Sequence, residues 1–205
     1  MKIYRSHFTQ MDFDNFNILV EKILREYYDE YKDQWNTAKQ TISEKNIKHT
    51  SIGEIPIKGK IDKVEIYDDH VKVIDYKTGT YKKDKLAGVS DEDQGGDYWR
   101  QLVFYKLLVD NDPTLDWKMK SGTMDFVEKA KTKVKYDKIE LPISSQDEEA
   151  VTKQLQESWT AIHNYEFEQF CEDENCRWCN FVRDTSMVQP LELDESYNAI
   201  HQKWF

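Results

Sequence analysis

The chain has 205 residues, with 39 acidic side chains against 29 basic ones and a formal net charge of −10 at pH 7. This length suits one domain with a real core, but the charge disfavours a free-standing DNA binder, because affinity for phosphates comes largely from Lys and Arg. No apolar run approaches the ~20 residues that span a bilayer, and the N-terminus lacks the apolar core of a signal peptide, so no membrane partner is expected.

The N-terminal region predicts one amphipathic helix over residues 12–35, with Asp14 as its N-cap. Its apolar residues recur at spacings of three and four, the periodicity of a single helix face: Phe16, Leu19, Val20, Ile23, Leu24, Tyr27, Tyr28, Tyr31 and Trp35. This stripe is interpreted as a packing face, and the alternative is a face on which a partner docks.

The next elements are predicted as strands. Residues 40–48 indicate a first strand, and Pro56 limits the second strand to a start after it or to a sheet edge. Alternating apolar residues then flank a polar tetrapeptide at residues 67–70, and they are Val64, Ile66, Val71 and Val73. This pattern is typical of two antiparallel strands joined by a tight turn.

Three charged residues are expected to meet at the end of this hairpin. Alternation has a period of two, so Asp75 and Lys77 project from one face, and Asp62 begins the neighbouring strand within reach of them. Two carboxylates form a hard oxygen site suited to Mg²⁺ or Mn²⁺, which polarises a phosphoryl oxygen and activates water. A nearby lysine would orient that water or stabilise developing charge. The alternative is a surface ion pair on an edge strand.

A polar loop and a helix follow the hairpin. Residues 80–96 predict a loop whose lysines either touch phosphates or are simply solvated. Residues 97–110 predict a helix on which Gln101 and Tyr105, four residues apart, share a face. Arg100 is a further candidate for a phosphate contact.

The last predicted elements are a hairpin and a helix. Residues 121–128 and 132–141 indicate a hairpin in the most basic stretch of the chain, either a DNA-facing strip or an edge guarded by lysines. Residues 145–164 predict a second amphipathic helix, capped by Ser144 or Ser145.

Three cysteines follow with the spacing C-x4-C-x2-C, at Cys171, Cys176 and Cys179. Thiolates at such spacing suit zinc or an iron–sulfur cluster, and His163, His201 or an upstream segment would supply a fourth ligand. The alternative is three free cysteines. Their odd number does not suggest a disulfide scaffold, so a reducing cytoplasm is the expected compartment.

Three sequence motifs together carry a family resemblance. Gly59-Lys60-Ile61-Asp62, then Ile74-Asp75-Tyr76-Lys77-Thr78-Gly79, then Gln101-Leu102-Val103-Phe104-Tyr105 resemble the RecB-type nuclease domain of the PD-(D/E)XK superfamily, over roughly residues 51–182. Gly96-Asp97-Tyr98-Trp99-Arg100-Gln101 and Cys176-Arg177-Trp178-Cys179 more narrowly resemble the C-terminal nuclease module of UvrD-like helicases.

The resemblance implies a restriction-endonuclease-like α/β fold, with a mixed central β-sheet flanked by helices. It implies a nuclease core over residues 51–165, preceded by an N-terminal helical part over 1–50 and followed by a cysteine-containing segment and tail over 166–205. It also implies a metal-dependent DNA nuclease attached to a helicase motor. The alternative is a degenerate module that docks DNA or a helicase without cutting.

The resemblance further implies roles for individual residues. Asp62, Asp75 and the Tyr76 carbonyl would bind Mg²⁺ or Mn²⁺, Lys77 would activate water, and Gln101 and Tyr105 would assist at the phosphate.

Relatives carry further metal ligands. Family members often have a metal-binding His on an N-terminal helix, and His7 is the nearest candidate, but its context does not match that motif. His49 falls in a predicted strand, the wrong element, so neither His is carried over. Some also hold a 4Fe–4S cluster on four cysteines, one more than this chain contains.

Overall fold

The structure is a computed structural model that describes residues 8–35, 38–90, 94–130, 133–166 and 173–185. Its helices are α1 (Gln10–Tyr31), α2 (Asp97–Asn111), α3 (Ser145–His163) and α4 (Arg177–Thr185). Its strands are β1 (Gln40–Ile52), β2 (Ile55–Ile66), β3 (Val71–Lys77), β4 (Met119–Phe126) and β5 (Lys138–Pro142). The chain divides into two compact units, Met1–Trp159 and Thr160–Phe205, and the sheet belongs to the first. None of the described helices is long and apolar enough to cross a bilayer.

The five strands form one mixed sheet in the order β1-β2-β3-β4-β5. The β3–β4 pair is parallel and the other three pairs are antiparallel. Parallel neighbours need a long crossover, and here it contains α2. The predicted mixed α/β fold is therefore confirmed, and so is the β2–β3 hairpin, in which Ile66 lies opposite Val71.

Helix α2 packs closely on one face of the sheet. Leu102 and Leu108 are fully buried against apolar residues of β2, β3 and β4. Two glycines permit this approach: a Cβ on Gly59 would lie 2.4 Å from Leu108 Cδ1, and one on Gly122 would lie 2.8 Å from Leu102 Cδ2. Each buried leucine contributes about 1.5–3 kcal/mol, so this packing fixes the helix over the end of β3.

Helix α1 belongs to a smaller aromatic cluster that includes Tyr76 of β3. Tyr27 is its buried centre and packs against Tyr136 and Val127. The interpretation of the whole apolar stripe as a packing face is wrong for much of its length, since several of its side chains are exposed: Phe16, Leu19, Leu24 and Tyr28. The N-cap is also not Asp14. The helix begins at Gln10, and Thr9 Oγ1 accepts a hydrogen bond from the Asp12 amide at 3.1 Å.

Other element boundaries differ from the predicted ones for identifiable reasons. Strand β2 includes Pro56, which was predicted to lie before the strand or at a sheet edge. Pro56 lies opposite Ser51 of β1, and β3 pairs with β2 only over residues 63–66. Because no strand pairs with Pro56 on the β3 side, its missing N–H costs no hydrogen bond there. Strand β5 begins at Lys138, later than the predicted residue 132. The cap of α3 is Ser144 as predicted, because its Oγ accepts from the Asp147 amide at 3.2 Å.

Candidate active site

The candidate site lies where β3 ends beneath α2. Alternation along β3 turns Asp75 and Lys77 toward the face that α2 covers, and Asp75 is only 3% exposed. Gln101 and Tyr105 lie one helical turn apart on α2, and the Gln101 Nε2 donates to the Tyr105 hydroxyl at 2.8 Å. The four predicted residues on β3 and α2 are therefore brought together.

These four side chains form one hydrogen-bonded network around the Asp75 carboxylate. Asp75 Oδ1 accepts from Gln101 Nε2 and from the Tyr105 hydroxyl, both at 2.9 Å. Lys77 Nζ donates to Gln101 Oε1 at 2.8 Å and lies 2.6 Å from Asp75 Oδ2. Charge-assisted hydrogen bonds of this kind fix the rotamers of all four groups.

Asp62 joins the same patch through the backbone of β3. The β2–β3 ladder ends at the pair Lys63–Ile74, and just beyond it Asp62 Oδ2 accepts from the Tyr76 amide at 3.0 Å. Tyr76 stands between Asp75 and Lys77, and the Asp62 charge contributes to the raised pKa of Tyr105. The structure therefore places Asp62 beside the other acid, as the sequence predicts.

Burial and negative charge keep the two tyrosines of the site protonated. Burial first, and the Asp75 charge second, raise the pKa of Tyr105 above its ordinary value. Burial, with Asp125, Glu65 and Asp62 in decreasing order, raises the pKa of Tyr76 to about 12. Tyr105 is thus a hydrogen-bond donor at neutral pH and not a general base.

One aromatic side chain that the sequence pattern does not indicate, Tyr98, borders the site. Lys77 Nζ lies 5.0 Å from the centroid of the Tyr98 ring, and Lys85 Nζ lies 4.8 Å from the same centroid. A cation over an aromatic ring is attracted by its quadrupole. Lys85 of the predicted loop therefore comes close to the end of β3 that carries Lys77. Tyr98 precedes Arg100 on a helix already predicted, but its contact with a distant lysine has no local sequence signal.

The donor set fits a divalent cation at the Asp75 carboxylate. Asp75 Oδ2 is buried and receives no hydrogen bond within the described part of the chain, although Lys77 Nζ is close enough for an ion pair. The Lys77 ammonium is therefore the positive charge beside this buried oxygen. A divalent cation bound at Asp75 would share the carboxylate with it.

Only two acids are available for such an ion in this patch. No group of three or more His, Cys, Asp or Glu side chains that could hold a metal occurs among the residues the structure describes. Asp62 and Asp75, with main-chain oxygen and water completing the shell, would form a hard oxygen site for Mg²⁺ or Mn²⁺.

The other predicted ligands are not assembled in the described residues. His7, Cys171 and His201 lie outside these residues. Cys176 precedes α4 and Cys179 lies in its first turn, whereas His163 ends α3. His49 is exposed on β1. A zinc or iron–sulfur site on the cysteines stays a prediction.

Arg100, predicted as a phosphate contact, has its donors turned toward the protein. Its Nε donates to Gln154 Oε1 at 2.9 Å, and its Nη2 donates to the carbonyls of Gly95 at 2.9 Å and Gln94 at 3.2 Å. A third nitrogen, Nη1, lies 3.5 Å from Asp97. All three guanidinium nitrogens thus already contact protein oxygens.

Three lysines of the basic stretch have polar protein partners. Lys133 pairs with Asp137, Lys138 with Asp125, and Lys118 donates to the Asp110 carbonyl. The two ion pairs lower the local charge that phosphates would meet at Lys133 and Lys138. The choice between a DNA-facing strip and a guarded edge stays open for the stretch as a whole.

A mixed sheet whose central strand ends in Asp-x-Lys beneath a Gln and a Tyr defines a nuclease-type α/β domain. The family model of the PD-(D/E)XK nuclease superfamily matches residues 5–183, and the chain belongs to that superfamily. DNA is the substrate class that this membership implies, and superfamily members generally use divalent metal ions.

Solved structures that are similar to this chain include the following two. The crystal structure of "Putative exonuclease" from Eubacterium rectale is 15% identical, with a TM-score of 0.52 over 93% of this chain and 72% of that one. The crystal structure of SSO0001 is 16% identical, with a TM-score of 0.37 over 88% of this chain and 69% of that one. The first likeness supports the fold. No curated protein matches the sequence.

Proposed function

We propose that the chain is a Mg²⁺- or Mn²⁺-dependent deoxyribonuclease, exonuclease-like, that hydrolyses phosphodiester bonds. The observation that carries this proposal is the network of Asp75, Lys77, Gln101 and Tyr105, joined by contacts of 2.6–2.9 Å. Superfamily membership supports the same reaction class.

Each side chain of the network has a chemical task in this hydrolysis. Asp62, Asp75 and the Tyr76 carbonyl would hold the ion, which when bound polarises the phosphoryl oxygen and lowers the pKa of water. Lys77 orients the attacking water and stabilises negative charge that develops on the phosphate oxygens. Water adds to phosphorus, the bond to the leaving oxygen breaks, and that oxygen takes the proton. Gln101 and Tyr105 keep the Asp75 carboxylate in place.

The test is magnesium-dependent cleavage by Asp75→Asn and Lys77→Ala on labelled single- and double-stranded DNA. Each should reduce cleavage at least about 100-fold, because each removes a charge from the reacting centre. Lys39→Ala is the matched control, since it breaks an exposed pair with Asp68. Full cleavage by either site variant, with the fold intact by circular dichroism, contradicts the mechanism.

We further infer that the domain serves a helicase in DNA repair or recombination, as a RecB-type module. The support is the sequence resemblance of residues 96–101 and 176–179 to the nuclease module of UvrD-like helicases. Adding a UvrD-like helicase from the same genome, with ATP, should raise cleavage of duplex DNA. Equal rates with and without ATP contradict this association.

The second candidate function is a nuclease-like module that binds DNA or a helicase without cutting. The observation that favours it is the pair of carboxylates with no third acidic, His or Cys ligand beside them in the described residues. A Mn²⁺ titration by calorimetry separates the two functions. Weak binding without cleavage of either DNA form supports the second function.

A further inference from the structure

A cavity of about 390 Å³ opens beside the candidate active site, between α2 and α3. Its lining includes one member of the catalytic network, Gln101. Its lining also includes Arg100, Phe104, Gln154, Leu155 and Ser158. The volume lies within the range of small-ligand sites, about 300–1,000 Å³.

The hydrogen bonds already made by the Arg100 guanidinium indicate which kind of ligand this cavity binds. All guanidinium donors lie in the plane of the group, and three of its nitrogens already contact protein oxygens. A phosphate would need those donors, whereas a flat aromatic ring needs only the guanidinium face. The hydrogen bonds to Gln154 and Gly95 also hold that face rigid, so stacking costs little side-chain entropy.

The remaining walls match a planar and partly apolar ligand. Phe104 and Leu155 are half-buried side chains that also pack against the main core. Stacking on aromatic rings or guanidinium planes, with apolar contacts around it, is how proteins hold unpaired nucleobases.

The position of Gln101 connects the cavity to the chemistry. Its side chain lines the cavity and hydrogen-bonds to Asp75 and Lys77. A phosphate at that network would therefore place the base of an adjoining nucleotide next to the cavity mouth.

We propose that this cavity receives one unpaired nucleobase of the substrate strand, from the nucleotide adjoining the scissile phosphate. The proposal rests on the proposed function, because it takes the network as the site of cleavage. A base in a duplex is paired and stacked, so the cavity gives preference to single-stranded or frayed ends.

The test uses single-stranded oligonucleotides in which a tetrahydrofuran abasic residue replaces each nucleotide in turn around the cleaved bond. Cleavage in Mg²⁺ and binding in EDTA, by fluorescence anisotropy, are measured on the same strands. A stacked base is worth about 1–3 kcal/mol, so one abasic position should weaken binding and cleavage by about 5- to 150-fold.

Two variants locate the effect in the cavity. Ser158→Trp fills the cavity from an exposed position, and Gln156→Trp places the same ring at an exposed α3 position that does not line it. In Ser158→Trp, abasic and base-bearing strands should be bound and cleaved about equally. In Gln156→Trp, the difference between the two strands should remain as in wild type. Arg100→Lys keeps the charge but removes the flat face, so it should also reduce the effect if Ser158→Trp fails to fold.

The outcomes separate this proposal from the proposed function. Equal affinity of the wild-type chain for abasic and base-bearing strands overturns the assignment of the cavity to a nucleobase, even where cleavage persists. In that case an apolar side chain of a partner protein becomes the expected occupant. An abasic effect that survives in both folded cavity variants also overturns it. Base-dependent binding that Ser158→Trp abolishes, without cleavage by the wild-type chain, supports the cavity and contradicts the nuclease.

Discussion

At the scale of single residues, the chemistry depends on how one buried carboxylate is held. Asp75 has one oxygen saturated by Gln101 and Tyr105, while the other faces Lys77 without a hydrogen bond from any described residue. The two oxygens are therefore different. Oδ1 is held by the two α2 side chains, and Oδ2 is paired with Lys77. Under the proposed function, this division makes Gln101 and Tyr105 positioning residues for Asp75.

Removal of the Tyr105 hydroxyl should reduce cleavage with little loss of fold. Tyr105→Phe keeps the buried ring but deletes the donor to Asp75 Oδ1, a charge-assisted bond worth about 1.5–3 kcal/mol. We expect kcat/KM to fall about 10- to 100-fold and the Mg²⁺ dependence to shift to higher concentrations.

Tyr67→Phe is the matched control, because it removes a hydroxyl bond to Glu65 away from the network. The two variants are compared by steady-state cleavage over a Mg²⁺ series and by thermal unfolding. An unchanged kcat/KM and Mg²⁺ midpoint in Tyr105→Phe would show that the hydroxyl does not position Asp75.

At the scale of elements, α1 is held by one buried tyrosine. The Tyr27 hydroxyl donates to Asp125 Oδ2 at 2.7 Å, and Lys138 Nζ lies 3.1 Å from the same oxygen. Asp125 is 1% exposed, and its Oδ1 has no hydrogen bond from the described residues. A buried charge with so few partners makes the loss of any one of them expensive.

Tyr27→Phe should therefore destabilise the first unit and loosen α1. Deleting the donor leaves the Asp125 carboxylate less satisfied, and we expect a loss of about 1–3 kcal/mol in the free energy of unfolding. Urea unfolding measures the loss, and hydrogen exchange along α1 locates it. Tyr28→Phe on the exposed side of α1 is the control and should change neither quantity. Equal stability of the two variants would show that the Asp125 contact does not hold the helix.

Local sequence patterns account for the elements that position the site. The β2–β3 hairpin, α2 and the Ser144 cap follow from alternation, helical spacing and one side-chain bond, and all depend on neighbours in the chain. The Thr9 cap, the exposure of Phe16 and the approach of Lys85 to Tyr98 do not. Helical spacing shows that a stripe exists, but tertiary packing decides how much of it is covered.

At the scale of the whole sheet, the two faces differ in the kind of side chain that they carry. The α2 face is an apolar core that ends in the hydrogen-bonded network around Asp75, whereas the other face carries ion pairs between neighbouring positions. Those pairs are Lys63 with Glu65, Lys72 with Glu140 and Lys138 with Asp125. These three acids are thus paired on the face away from Asp75, while the net charge of the chain stays at −10.

The buried tyrosines make stability sensitive to alkaline pH. The pKa of Tyr76 is raised to about 12, first by burial and then by Asp125, Glu65 and Asp62. A folded-state pKa above the unfolded value of about 10 means that the fold favours the protonated hydroxyl. Its stabilising contribution is therefore fully present below about pH 10 and is lost as pH rises from about 10 to about 12.

Tyr76→Phe removes this titration and should flatten the decline in stability above pH 10. Urea unfolding at pH 8, 9.5, 10.5 and 11 (roughly two points below the window and two within it) compares the slopes of wild type and variant. Tyr165→Phe is the control, since Tyr165 is 82% exposed and its replacement should leave the slope unchanged. Parallel curves of unfolding free energy against pH for wild type and Tyr76→Phe would contradict the raised pKa. They would mean that the Tyr76 hydroxyl ionises as easily in the folded chain as in the unfolded one, and that Asp125, Glu65 and Asp62 exert no net field on it.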